Sequence, residues 1–216
     1  MIRDTIKNAQ YYADIIPQLE QRILKYEKKR DEFPIDSSQY EKCQIHLQGI
    51  GYNYVSALYS SGASTSKVKS AVEQYLTTLT TSSVTYNEVI DAYSLAILFG
   101  VSQMCTALTV QKRYHDILID TLAQYFDKGK AIITQDKPVF QEYQPFADYL
   151  SGQMSKDEFL RYIEEEWYSS CADRAWYESN KNPNDVYTGY WCWLGAALLK
   201  LKHDSVMHKV QYLPEI

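Results

Sequence analysis

Glycine and proline are scarce in this 216-residue chain, at 8 and 6, and no low-complexity run occurs. That excludes collagen-like and linker-rich architectures and points to a compact globule. A chain of this length can bury roughly 70% of its unfolded surface, so it needs no disulfide staple. Cysteine is limited to Cys43, Cys105, Cys171 and Cys192, none in a C-x-x-C pair. Charged Arg3 and Asp4 stand at the start with no apolar run behind them, so no export signal is expected. Free thiols in a reducing cytoplasm are the simplest account.

The motifs of common chemistries are missing too. There is no G-x-x-x-x-G-K, no G-x-G-x-x-G, no G-x-S-x-G and no H-E-x-x-H, which removes the phosphate loops, the serine-hydrolase elbow and the zinc-protease helix. No cofactor is implied. The nearest approach to a metal cluster is His115-Asp116 with Asp120, where two carboxylates share a helix face at i, i+4. A solvated helix face with a histidine at the core edge explains the same residues. Glu164, Glu165 and Glu166 point three ways around a helix, so they do not converge as a catalytic pair. The segment 92–111 carries no charge for 20 residues. Its Ser, Thr, Gly and Gln content favours a buried helix, or two broken near Gly100, over a membrane span.

A basic excess is absent as well. The formal net charge is −5, and nucleic-acid binding needs a basic stripe, so direct contact with nucleic acid is disfavoured. The acidity concentrates in 141–180, with nine acids against three bases. Such a face is either merely solvated or complementary to a basic partner.

What is present is aromatic and helical. There are 20 Tyr, and tyrosine buries a ring while its hydroxyl seeks a polar partner. Apolar residues recur with a period near 3.6 in most segments. Capping boxes stand at Ser38-x-x-Glu41, Thr85-x-x-Glu88 and Ser155-x-x-Glu158, and Ser64 or Thr65 can cap a further helix. Pro17 should kink or split the first helix, Ile2 to Phe33, unless it opens a second one. The stretch Tyr187 to Leu201, YTGYWCWLGAALLKL, is uncharged until Lys200. It reads as a buried central helix with Asn184 as its N-cap, too short to span a bilayer of about 20 residues. The expected fold is all-α: a multi-helix bundle of antiparallel hairpins around this Tyr/Trp-rich C-terminal helix. Residues 129–140 lack a helical period, leaving a short strand open at 131–134 and suggesting parts at 1–128 and 129–216 within one compact unit.

The Tyr187-x-Gly189-Tyr190-Trp191 stretch, followed by aromatic Trp193 and Ala196-Ala197-Leu198, resembles the C-terminal signature of the PoNe immunity (PoNi) family. Those bacterial proteins neutralise a DNase toxin delivered by a secretion system. Other pieces are similar and fall in the same order: Arg3-Asp4, Tyr11-Tyr12, Tyr59-Ser60 with Gly62, Trp167-Tyr168, Trp176-Tyr177, His203-Asp204-Ser205 and the tail from Tyr212. The family usually carries Glu where this chain has Leu194, and Ala at Gly195, so no role of that Glu carries over. The resemblance implies a cytoplasmic, non-enzymatic protein that binds a cognate nuclease toxin, with a homodimer left open. The candidate partner-binding residues are Asp157, Glu158, Glu164, Glu165 and Asp173. Trp167, Tyr187, Gly189, Tyr190, Trp191 and Trp193 form the structural signature. Two other classes stay open at this point: a small helical hydrolase or metal enzyme using His115, Asp116 and Asp120, and a helical interaction scaffold.

Overall fold

The structure is a computed structural model that describes residues 1–79, 84–101, 114–126, 136–184 and 186–215. Among these residues every regular element is helical and no strand occurs. Cys105, the candidate strand at 131–134 and the second half of the uncharged 92–111 segment lie outside the described residues. No helix among the described residues is long and apolar enough to cross a membrane. Backbone contacts divide the chain into two units, 1–84 with 178–189, and 85–177 with 190–216.

The first unit is built on three helices: α1 (Ala9–Asp31), α2 (Ser38–Ser60) and α3 (Thr65–Thr78). Each starts at a polar cap, because a side-chain oxygen there can take one of the orphan N–H groups of the first turn. Asn8 accepts from Tyr11 N, Ser37 from Tyr40 N, and Ser64 from Lys67 N. The second cap corrects the Ser38–Glu41 reading by one residue. Ser37 N and Oγ both donate to Pro34 O, and this turn places Ser37 at the helix start. Pro17 does not split α1, which runs through it unbroken. The Gln18 side chain donates to Asp14 O in the turn that the proline disturbs.

Contacts between the helices fix their directions. Arg30 meets Gln44, Tyr26 packs at a tilt on His46, and Tyr54 donates to Glu20, so α1 and α2 run antiparallel. Gln48 reaches Thr78 O, and Gly51 lies against Tyr75, so α3 is antiparallel to α2. Buried Gln44 and Gln48 both donate to Thr78 O, giving the end of α3 a polar partner inside the unit.

One carboxylate ties this unit's remote segments together. Buried Asp4 accepts the Tyr12 hydroxyl at 2.9 Å, the Tyr187 hydroxyl at 2.7 Å and Lys7 N at 2.7 Å. The segment 186–189 has no regular secondary structure and is pinned there. Tyr187 O accepts from Tyr11, and Thr188 O accepts from Ser60.

The second unit holds α4 (Tyr86–Phe99), α5 (Ile117–Phe126), α6 (Gln144–Ser151), α7 (Lys156–Glu165), α8 (Trp167–Ser170) and α9 (Trp193–Leu201). The capping boxes at Thr85/Glu88 and Ser155/Glu158 are both formed. Helix α4 ends at Gly100 in the left-handed conformation. Beyond it, Lys200 of α9 donates to Ile97 O and Leu98 O, supplying a cation where the helix dipole is negative. Helix α9 packs on α4 and α6. Its Trp193 is 1% exposed, and Leu194 through Leu199 are all buried. Gly195 permits the approach of α7, since a Cβ there would stand 2.8 Å from the Ile163 side chain.

The central helix is therefore buried as expected but shorter. It begins at Trp193, with Cys192 rather than Asn184 at its N-cap position. Its predecessors spend their backbone groups elsewhere: Tyr187 and Thr188 as described, and Cys192 N on Tyr212 O.

Replacing Asp4 by Ala would remove the carboxylate to which two buried phenols donate and should cost about 3 kcal/mol. Tyr187→Phe, which removes only one of the three bonds, should cost about 1 kcal/mol. Urea unfolding of both variants checks the ranking; equal midpoints for wild type and Asp4→Ala would show that the carboxylate does not hold the unit together.

Candidate functional site

The two units differ in charge. The first contains 11 basic and 11 acidic residues, net zero; the second contains 11 and 16, so it carries the chain's whole formal charge of −5. Several of those acids have internal work. Asp116 is fully buried, and its Oδ1 accepts Leu118 N and Ile119 N, capping α5. Its Oδ2 accepts the Tyr86 hydroxyl at 2.6 Å and Val139 N at 2.8 Å. Burial and this carboxylate together push the Tyr86 phenol well above its ordinary value. Asp204 accepts the Tyr149 hydroxyl, and Asp148 accepts from Gln144. Glu88 closes its capping box.

The metal reading of His115, Asp116 and Asp120 meets a different arrangement. His115 Nδ1 lies 3.3 Å from Asp120 Oδ1, while both oxygens of Asp116 are taken by α5, Tyr86 and Val139. No group of three His, Cys, Asp or Glu among the described residues is placed to hold a metal ion. Nucleophilic chemistry at Cys171 and Cys192 is unfavourable as well. Burial raises the Cys171 thiol to about 11 and pushes the Cys192 thiol well up, so neither supplies thiolate near neutral pH.

What remains is an acidic face. Helix α7 turns Phe159, Leu160, Tyr162 and Ile163 inward. Asp157, Glu164 and Glu165 are exposed, and none of the three makes a hydrogen bond or ion pair with the described residues. Arg161 shares that outward side. Glu158 is exposed but occupied, accepting Ser155 N at 2.9 Å and Ser155 Oγ at 2.6 Å. Asp173 sits on the following turn, 74% exposed at its side chain, with Arg174 Nε 3.7 Å away. The Arg174 guanidinium is turned inward and donates to the Tyr143 hydroxyl, which itself donates to Asn87. Four of the five sequence-predicted contact residues thus lie on α7, one of them engaged in its cap, and the fifth lies on a neighbouring turn.

Beside this face lies a group of rings that helical periodicity alone did not bring together. Tyr168 stacks on Tyr177 with centroids 4.7 Å apart and on Tyr212 at 5.3 Å. It also meets Tyr190 at 4.8 Å. Trp167 stacks on Trp176 at 5.8 Å and touches Tyr212 at 5.5 Å. Trp167 and Tyr190 are buried; Tyr168, Trp176, Tyr177 and Tyr212 are half-buried. The adjacent pairs Trp167-Tyr168 and Trp176-Tyr177 are the visible sequence signal. Tyr212 reaches them only through the return of the tail. Of the remaining signature residues, Tyr187 is buried in the first unit, Trp193 is buried in the second, Trp191 is partly exposed and Gly189 has a φ of +123°.

Against known proteins, residues 3–109 match the family model described as PoNe immunity protein (PoNi), N-terminal, and residues 114–215 match PoNe immunity proteins (PoNi), C-terminal. No curated protein and no solved structure matches the chain.

The cap of α7 should make a local contribution that depends on pH. The Ser155 hydroxyl and backbone hydrogen bonds hold the Glu158 carboxyl below its ordinary 4.5. A lowered folded pKa means that the box is stabilising above the ordinary value and is lost as pH falls through the folded one. Glu158→Ala should therefore melt earlier than wild type at pH 7, with the gap closing as both are acidified below pH 4.5. A gap of unchanged size in acid would contradict this.

Proposed function

The chain belongs to the PoNe immunity protein (PoNi) family, and on that premise we propose that it inhibits a cognate DNase toxin delivered by a bacterial secretion system. The observation that carries this reading is the pair of family matches, which fall in chain order and together take in residues 3–109 and 114–215. An immunity protein must bind its toxin, and the remaining question is which face does so. Asp157, Glu164, Glu165 and Asp173 are the proposed contact residues, with Glu158 a secondary one because its carboxylate already serves the cap.

The physical case is electrostatic. A DNase is basic where it grips phosphate, and a rigid helix bearing carboxylates can compete for that surface or lock it from an adjacent face. Opposite charges over whole surfaces also steer the encounter, raising association rates in a way that salt suppresses. A rigid scaffold suits this task, since side chains ordered before contact lose less entropy on binding. Inhibition by occupancy needs no turnover by the immunity protein, so no catalytic residue is assigned. Its proposed place is the cytoplasm of the producing cell.

The test is to mix the protein with the product of the adjacent gene, the proposed nuclease toxin, then follow co-elution on a sizing column and plasmid degradation. A stable complex that spares the plasmid is expected. The quadruple variant Asp157→Asn, Glu164→Gln, Glu165→Gln, Asp173→Asn should associate about tenfold more slowly at low salt, with the difference shrinking as salt is added. A complex that leaves the plasmid degraded, or no complex at all, would reject the inhibitor reading. Unchanged association by the variant would instead move the contact to another face.

A further inference from the structure

The half-buried rings beside α7 have the chemistry of a receptor for a particular side chain. Tyr168, Trp176, Tyr177 and Tyr212 are partly exposed over a floor of buried Trp167 and Tyr190. Carboxylates flank them along the chain: Glu165 and Glu166 immediately precede Trp167-Tyr168, and Asp173 stands on the turn that leads to Trp176-Tyr177. All three acids are exposed. The cation within that turn, Arg174, is directed to Tyr143 instead.

We propose that this ring cluster, with Glu165, Glu166 and Asp173 at its rim, receives an arginine side chain of a basic protein partner. The proposal rests on the toxin-binding reading for the identity of that partner, but its chemistry can be tested separately. A guanidinium is flat, weakly hydrated and able to stack on an aromatic face while its N–H fork meets a carboxylate. Lysine, a compact and strongly hydrated charge, gains less from stacked rings. Arginine, tyrosine and tryptophan are also the residues that dominate binding energy at protein interfaces. The chain already uses this pairing internally. Arg3 lies 4.5 Å from the Tyr59 ring centre and Arg174 5.5 Å from that of Tyr143. Charge complementarity selects the partner's sign, because the unit bearing the cluster holds the whole net charge of −5.

Hexa-arginine and hexa-lysine peptides, titrated calorimetrically at equal ionic strength, separate ring recognition from plain charge attraction. The wild-type protein should bind hexa-arginine about tenfold more tightly than hexa-lysine. Tyr177→Leu and Trp176→Leu should bring the two peptides to near parity, while Tyr177→Phe should retain the preference. Parity in the wild type overturns the proposal without reference to how any variant folds. So does a preference that survives both leucine substitutions. With the nuclease itself, the leucine variants should raise Kd by about tenfold while circular dichroism stays unchanged. A wild-type complex whose Kd the folded leucine variants do not alter overturns the ring site and leaves the immunity function standing. If the wild type forms no complex, the immunity reading falls, and the peptide ratio decides the ring site by itself.

Discussion

A tyrosine hydroxyl donating to a carboxylate is the interaction on which this structure depends. It recurs at Asp4 with Tyr12 and Tyr187, at Glu20 with Tyr54, at Asp116 with Tyr86, and at Asp204 with Tyr149. A core rich in tyrosine gains ring area but must find an acceptor for each buried hydroxyl, or bear a desolvation penalty of about 1–3 kcal/mol per group. A carboxylate is a strong acceptor with room for several donors. Its own cost of burial falls when those donors are supplied, and Asp116 with four and Asp4 with three show how completely this is done. In each unit the buried acid also joins segments far apart in the chain. Asp4 links the N-terminal segment, α1 and residue 187, while Asp116 links the start of α4, the start of α5 and Val139.

The same bond sorts the acids by role. Carboxylates that meet a phenol or a helix cap are committed to the fold, and those left over on α7 face solvent. Sequence charge counting over 141–180 cannot make that division. It gives Glu158 and Glu164 equal weight, although one closes a capping box and the other makes no such bond. Helical spacing likewise leaves Asp116 and Asp120 as a pair on one helix face, open to a metal reading. The structure removes that pairing for a physical reason: Asp116 stands at the N-cap of α5, where its carboxylate is drawn to the helix's free N–H groups.

Much of the helical architecture was legible because its signals are local. The boxes at Thr85 and Ser155 need only residues three apart, and the apolar face of α7 repeats within a few turns. What stayed hidden was decided at long range. Residues 187–192 carry no charge and run straight into the helix they precede, yet Tyr187, Thr188 and Cys192 satisfy their backbone groups on Tyr11, Ser60 and Tyr212. Gly189, at a φ of +123°, takes a conformation that other residues adopt only with strain. Pro17 did not split its helix. One missing N–H within a 23-residue helix is tolerated when packing against α2 fixes both sides of it.

The ring cluster belongs to the same class of long-range outcome, and this bears on how a face for a partner arises. Tyr168 alone is an ordinary half-exposed residue on a four-residue helix. It becomes part of a continuous aromatic surface because the turn after α8 folds Tyr177 back onto one side and the tail lays Tyr212 on another. The hydrogen bond from Cys192 N to Tyr212 O ties that tail to the start of α9. The helix buried at the unit's centre therefore also anchors one wall of the ring surface. Core and candidate interface share residues here, which explains why a Tyr/Trp-rich signature can serve both. Packing requirements alone are enough to place aromatic rings at these positions, and the exposed edges of the same rings, near solvent-facing carboxylates, are what the proposed arginine would meet.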